Sequence, residues 1–179
     1  MNAGSRKLIR VAILDMYDGV PNQGMRCIRE LLNQFGESHH LNLEWDEFDV
    51  RRECAVPDLT YDIYISSGGP GSPLESKGTQ WENVFFKWIT DVLLWNSNPL
   101  NEQKKPVFFI CHSFQLACRY FEIGNVCPRK STAFGVFPVH YIMGAKQETI
   151  FAGLRDPFYA VDSRDYQVIE PNHNKLHEM

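Results

Sequence analysis

The sequence predicts an α/β fold, in which a mainly parallel central sheet is flanked by helices on both faces. Short apolar, β-branched segments alternate with amphipathic helical segments from Leu8 to Phe121. Short connections that are rich in glycine and proline separate them. Such alternation is typical of parallel sheets with crossover helices. No repeat or interdomain linker is visible, so we expect a single domain over residues 1–179.

Strand patterns occur in two parts of the chain. Val136–Met143 and Phe158–Val168 predict a more antiparallel, edge-like region near the C-terminus. In the earlier part, four apolar or alternating segments are typical of buried or half-exposed strands: Leu8–Asp15, Leu41–Val50, the segment that begins at Asp62, and Pro106–Cys111.

Three helices are predicted between the early strands. The first is an amphipathic segment that we expect to end at Gly36, because glycine is a common helix C-cap. Thr79 is a candidate N-cap of the second helix, and Glu82 would complete a capping box. The third helix is the short segment Phe114–Phe121, closed by Gly124.

Composition excludes several classes of function. The net charge is −4 and no run of Lys or Arg exceeds two residues, so nucleic acid is not an expected partner. No apolar stretch approaches the roughly 18 residues that span a bilayer, and no secretory signal is visible. We therefore expect a cytoplasmic protein that does not bind membranes.

Metal and disulfide sites are also not predicted. The five cysteines are odd in number and lack Cys-x-x-Cys spacing, which argues against a disulfide framework and a four-thiolate zinc site. His173 and His177 have the spacing of a zinc pair, but no third ligand is evident. We expect neither a metal nor a cofactor.

Cys111 stands out because it lies between a predicted buried strand and a predicted helix. A helix N-terminus stabilises a thiolate through its unpaired N–H groups. At such a turn the backbone N–H of His112 can point towards an oxyanion. A second feature, the Gly- and Pro-rich segment Ser66–Pro73, follows the neighbouring strand, and the N–H of Gly69 can supply another oxyanion donor. A buried core cysteine beside a tight turn is the alternative interpretation.

Two segments of this sequence resemble class I glutamine amidotransferases, particularly the GMP synthase-like group. They are Tyr61–Pro73, which contains Ser-Ser-Gly-Gly-Pro-Gly-Ser-Pro, and Pro106–Gln115, which contains Phe-Ile-Cys-His-Ser-Phe-Gln. The resemblance extends from the first strand to about Val168. It implies the flavodoxin-like fold of that family, in which a cysteine thiolate attacks the side-chain amide of glutamine and releases ammonia.

The resemblance also implies roles for individual residues. Cys111 would be the nucleophile that forms a glutamyl thioester, and the backbone amides of Gly69 and His112 would form the oxyanion hole. Gln115 would contact the substrate glutamine. Ser163 and Arg164 correspond to a Ser-His pair that helps to position the substrate, with arginine in place of histidine. The ammonia would pass to an unidentified synthetase, because no ATP-binding domain is evident in this sequence.

The sequence departs from the family pattern at the catalytic turn and at the base. Phe109 and Ser113 replace glycines that flank the nucleophile, and we expect a distorted turn and a phenylalanine ring near the thiol. No His-x-Glu occurs, and His112, His140 and His173 are weak candidates for the base.

Three interpretations of the missing base remain open. The first is that the domain is truncated at its C-terminus, so that the base is missing from this sequence. The second is a non-catalytic binding or regulatory module that has kept the fold. A third interpretation keeps the same nucleophile but changes the reaction to hydrolysis of γ-glutamyl peptides.

Overall fold

The computed structural model describes residues 7–142 and 144–178, which form two compact units. The first unit extends to Val126 and resumes at Val168, and the second unit is Cys127–Gln167. Met143, the last residue of one predicted strand, lies outside the described residues. The single-domain organisation over the whole chain stays a prediction.

The first unit is built on a four-stranded parallel sheet. Its strands are β1 (Leu8–Asp15), β2 (Asn42–Asp49), β3 (Ile63–Ser66) and β4 (Val107–Phe109). They are arranged in the order β2-β1-β3-β4, and every neighbouring pair is parallel. The predicted parallel sheet is confirmed, although β4 is shorter than the predicted strand because the chain turns after Phe109.

Helices cover both faces of this sheet, as the sequence predicts. One face is covered by α1 (Gln23–Ser38), and the other by α2 (Val50–Glu53), α3 (Gln80–Ser97) and α4 (His112–Phe121). A short helix, α5 (His173–Glu178), follows near the end of the chain. No helix in the described part of the chain is long and apolar enough to cross a membrane.

The central strand β1 divides the core into two parts. Ala12 and Leu14 face the core shared with α2, α3 and α4, whereas Val11 and Ile13 face the core shared with α1. All four side chains are fully buried, which explains why this strand is apolar at successive positions instead of alternating.

The helix ends differ in part from the sequence predictions. The Thr79 side chain accepts a hydrogen bond from the Glu82 amide and caps α3 as predicted. The prediction that Gly36 ends α1 is wrong, because the helix continues to Ser38, with Gly36 buried close to Leu43 of β2. The end of α4 is at Glu122, which adopts a left-handed conformation, and not at Gly124.

The second unit is dominated by a two-stranded sheet of β5 (Asn125–Val139) and β6 (Phe158–Ile169), each of which reaches into the first unit at one end. Contacts between side chains pair Cys127 with Gln167 and Thr132 with Asp165. The partner positions decrease along β6 as they increase along β5, which is the order of an antiparallel pair. The structure therefore has an antiparallel pair in the predicted region, but β5 begins earlier than the predicted strand and ends at Val139, so residues 140–142 are not part of it.

A buried ion pair joins α3 to α4 beside the loop that follows β3. Glu82 and Arg119 are 2.6 Å apart, and their side chains are 3% and 16% exposed. Glu82 also accepts hydrogen bonds from the Ser76 hydroxyl and the Gly78 amide, and Arg119 donates to the Pro73 carbonyl. The pair therefore fixes the loop as well as the two helices.

Removing the Glu82 charge should destabilise the fold. We expect Glu82→Gln to lower the free energy of unfolding by about 3 kcal/mol, because Arg119 would remain buried without a counter-charge. Asp91→Asn is a matched control, since it breaks the exposed Lys87–Asp91 pair and should cost less than about 0.5 kcal/mol. Urea unfolding of both variants measures the difference, and equal losses would contradict the assignment.

Candidate active site

The predicted nucleophile lies at the carboxyl edge of the sheet. Strands β3 and β4 are parallel neighbours, so the loops that follow them emerge side by side. The first loop contains Gly68 and Gly69, and the second contains Cys111. A Cβ placed on Gly68 would lie 3.4 Å from Cys111 Cβ, so the two loops are in contact. Ligands of parallel α/β sheets bind at this edge.

Cys111 has a strained backbone conformation. Its φ is 51° and its ψ is −102°, and it is the residue immediately before α4. A positive φ is unfavourable for a residue with a Cβ, and such strain is concentrated at functional positions. The strand-to-helix turn therefore has the local geometry of a nucleophile elbow.

Ser113 stabilises this turn where a glycine is usual. Its hydroxyl donates a hydrogen bond to the Ser66 carbonyl at 2.8 Å and accepts one from the Ile110 amide at 3.0 Å. The side chain is fully buried, so these bonds satisfy a group that would otherwise be costly. The serine links the elbow to the end of β3.

The Phe109 ring is part of the hydrophobic core. It packs edge-on against Phe85 of α3, with the ring centroids 6.4 Å apart, beside the core that contains Trp88. The ring therefore has a packing role, and its effect on the thiol stays a prediction. The aromatic side chain fills the space between the sheet and α3.

Gly69 lies where no side chain fits. A Cβ at this position would be 2.2 Å from the Met16 carbonyl oxygen, because the loop crosses the backbone that leaves β1. Ser67 holds this crossing: its amide donates to the Leu14 carbonyl and its hydroxyl accepts from the Met16 amide, both at 2.9 Å. The position of the Gly69 amide is thus set by backbone contacts.

The two amides predicted as oxyanion donors have no acceptor within the part of the chain that the structure describes. The Gly69 amide follows the buried Gly68, and the His112 amide is the first N–H of α4, which has no partner inside its own helix. The helix N-terminus adds partial positive charge at the same position. Both N–H groups are thus able to bind an anionic oxygen.

The His112 side chain is buried beneath the elbow. It is 2% exposed, and its Nε2 has no hydrogen-bond partner within the described residues. Burial lowers the pKa of His112 to about 4, and the nearby charges of Arg51 and Arg119 act in the same direction. The ring is therefore neutral at physiological pH and does not resemble an accessible general base.

The remaining predicted site residues lie in different units. Gln115 is buried on α4, one helical turn after Cys111, and its backbone amide donates to the Cys111 carbonyl. Ser163 and Arg164 are exposed on β6 in the second unit, where Arg164 pairs with Asp162 at 2.6 Å. The structure therefore brings together Cys111, Gln115 and the two amides, and leaves the roles of Ser163 and Arg164 as predictions.

Two residues near the site are missed by the sequence patterns. Arg51 lies on α2 with its side chain only 16% exposed. Its guanidinium donates to the Pro70 carbonyl at 2.7 Å and stacks over Trp81, which holds the loop that contains Gly69. Tyr17, in the loop after β1, lies beside Gly68.

The histidines considered as weak candidates for a base are distributed over both units. His140 follows β5, where its Nδ1 lies 3.6 Å from Asp156. His173 and His177 are exposed on α5. Within the described residues no group of His, Cys, Asp and Glu has the arrangement needed to hold a metal ion.

Comparison with known proteins identifies the fold. No protein-family model and no curated protein sequence matches the chain. The crystal structure of a glutamine amidotransferase from Thermotoga maritima is similar, with a TM-score of 0.66, 15% sequence identity and coverage of 92% of this chain. The chain has a glutamine amidotransferase-like fold. The implied flavodoxin-like architecture is thereby confirmed.

A second solved structure has the same amidotransferase-like fold. It is a glutamine amidotransferase from Methylobacillus flagellatus, with a TM-score of 0.58, 15% sequence identity and coverage of 94% of this chain. The chain covers 64% of the Thermotoga protein and 59% of the Methylobacillus protein, and so spans less than two thirds of either.

Adding a methyl group to Gly69 should disturb the loop. We expect Gly69→Ala to lower the free energy of unfolding by about 1 to 3 kcal/mol, because the new Cβ would overlap a backbone oxygen that cannot easily move. Gly68→Ala is the matched control, since its Cβ would make only ordinary contacts at 3.4 Å. Urea unfolding compares the two variants, and the prediction fails if they lose equal stability.

The buried His112 ring should make stability depend on pH. Its pKa in the folded protein, about 4, lies below the usual value of 6.5, so protonation favours the unfolded state. The stabilisation is complete above about pH 6.5 and is lost as the pH falls towards 4, with a total of up to about 3 kcal/mol. We expect His112→Gln to reduce this loss.

The measurement is urea unfolding at pH 7.5 and pH 4.5. The exposed His177→Gln variant is the control and should keep the pH dependence of the parent protein. An unchanged difference between the two pH values in His112→Gln would contradict the role of this ring.

Proposed function

We propose that the protein hydrolyses the side-chain amide of glutamine to glutamate and ammonia, with Cys111 as the nucleophile. The observation that carries this proposal is the strained elbow of Cys111 together with the unbonded amides of Gly69 and His112. A cysteine that is held at a helix N-terminus beside two free donors is suited to acyl transfer. The amidotransferase-like fold favours glutamine as the acyl compound.

The chemical steps follow from this arrangement. The Cys111 thiolate attacks the side-chain carbonyl carbon of glutamine, and the resulting oxyanion accepts hydrogen bonds from the Gly69 and His112 amides. The carbon–nitrogen bond then breaks, the nitrogen takes up a proton and leaves as ammonia, and a glutamyl thioester remains. Water attacks the thioester, which releases glutamate and restores the thiol. The buried Gln115 is the proposed side-chain contact to the substrate.

The proposal includes two further features predicted from the motifs. The ammonia passes to a synthetase partner, as in the GMP synthase-like group that the sequence resembles. Ser163 and Arg164 help to position the substrate, because an arginine can bind the glutamine carboxylate through two hydrogen bonds. The group that accepts the thiol proton is not assigned to the His112 ring, which is buried and has a pKa of about 4.

Replacing Cys111 should abolish ammonia release. We expect the full-length protein to release ammonia and glutamate from glutamine, and Cys111→Ser to lower the rate by at least about a thousandfold, because no covalent intermediate forms. Cys127→Ser is the control, since the Cys127 thiol contacts Gln167 of β6 and has no role in the proposed reaction. A glutamine analogue that carries an electrophilic diazoketone should add its mass to Cys111 in the parent protein.

The same assay separates the alternatives. Hydrolysis of γ-glutamyl peptides without hydrolysis of glutamine would indicate a γ-glutamyl peptide hydrolase with the same nucleophile. If the protein does not release ammonia and Cys111 is not labelled, the proposed enzyme is overturned and a non-catalytic binding or regulatory module is favoured.

A further inference from the structure

The Tyr17 hydroxyl lies close to the proposed nucleophile. The point where a Cβ on Gly68 would stand is 3.4 Å from Tyr17 Oη and also 3.4 Å from Cys111 Cβ. Tyr17 Oη and Cys111 Cβ are therefore at most twice that distance apart, and Gly68 places no side chain at that point. The Cys111 sulfur is one bond beyond Cβ, and the charge of Cys111 acts on the Tyr17 phenol, so the two groups are close enough to interact.

Two local features hold Tyr17 in this position. Its amide donates to the Asp15 carboxylate at 2.8 Å, which fixes the turn after β1. Its hydroxyl lies only 2.1 Å from where a Cβ on Gly24 would stand, so the ring occupies space that the missing side chain of Gly24 leaves open. Glycine is a poor helix former, but because Gly24 has no side chain it leaves space for the phenol of Tyr17.

We propose that the Tyr17 hydroxyl donates a hydrogen bond to the thiolate of Cys111, which makes Tyr17 a positioning residue for the nucleophile. The assignment rests on the proposed function, in which the reactive form of Cys111 is the thiolate. A hydrogen bond to a charged acceptor is stronger than one between neutral groups and stabilises the charged form.

The electrostatics around Tyr17 are consistent with a donor role. Burial raises the pKa of the phenol, and the charges of Cys111, Asp15 and Cys27 raise it further. The hydroxyl therefore keeps its proton at neutral pH. The nearby charges of Arg51, Arg119 and Glu82 act on the neighbouring His112 ring.

Removing the hydroxyl should make the Cys111 thiolate less stable. The experiment follows alkylation of Cys111 by iodoacetamide as a function of pH in the full-length protein, with peptide mass analysis to separate it from the other cysteines. We expect Tyr17→Phe to move the midpoint of the profile up by about one pH unit, which is about a tenfold loss of thiolate at pH 7. The readout is the midpoint of the pH profile and not the rate of alkylation, because the intrinsic reactivity of a thiolate changes with its basicity.

A second variant separates this role from stability. Gly24→Ala would push the hydroxyl away, while alanine in place of glycine favours α1. We expect the midpoint to rise in this variant with no loss in the free energy of unfolding. Tyr120→Phe is the control, because the Tyr120 hydroxyl is bonded to Thr90 at 2.7 Å and should leave the midpoint unchanged.

The outcomes distinguish the two proposals. An unchanged or lower midpoint in Tyr17→Phe, or an equal shift in Tyr120→Phe, would overturn the role of Tyr17. A raised midpoint in a protein that releases no ammonia would support the hydrogen bond and contradict the proposed function. Ammonia release without a raised midpoint would support the proposed function and contradict the role of Tyr17.

Discussion

The Ser113 hydroxyl is the contact on which the geometry of the candidate site depends. It donates to the Ser66 carbonyl at the end of β3 and accepts from the Ile110 amide, which also donates directly to that carbonyl at 2.9 Å. These linked hydrogen bonds hold the two loops of the site in a fixed relation. A buried hydroxyl with both partners present is stabilising, whereas an unpaired one would be costly. Ser113 therefore performs through hydrogen bonds what a flanking glycine achieves by its small size.

The loop that contains Gly69 is held from two sides by arginines of different elements. Arg51 of α2 binds the Pro70 carbonyl, and Arg119 of α4 binds the Pro73 carbonyl. Arg119 is in turn neutralised by the buried Glu82. Since charged donors form stronger hydrogen bonds than neutral ones, the loop keeps its shape without regular secondary structure.

Local sequence patterns were sufficient for the sheet and for the turn that carries Cys111. The apolar run Leu8–Asp15 has the same bounds as β1, since a strand buried on both faces has no polar positions to obscure it. Gly36 was misleading because it is a buried residue inside α1, which continues for two more residues. Arg51 and Tyr17 could not be identified, because their partners are distant in sequence and no periodic pattern marks them.

At Cys111 the backbone conformation lowers the stability of the fold, whereas the proposed reaction needs the thiol. A sparsely populated backbone conformation with a positive φ costs an ordinary residue on the order of 1–3 kcal/mol, whereas a positive φ has no such cost for glycine. Selection for folding alone would therefore replace the cysteine with glycine. Drift at this position would give a more stable protein that has lost its thiol. In a set of related sequences, the residue at this position would therefore separate those that keep the proposed nucleophile from those that keep only the fold.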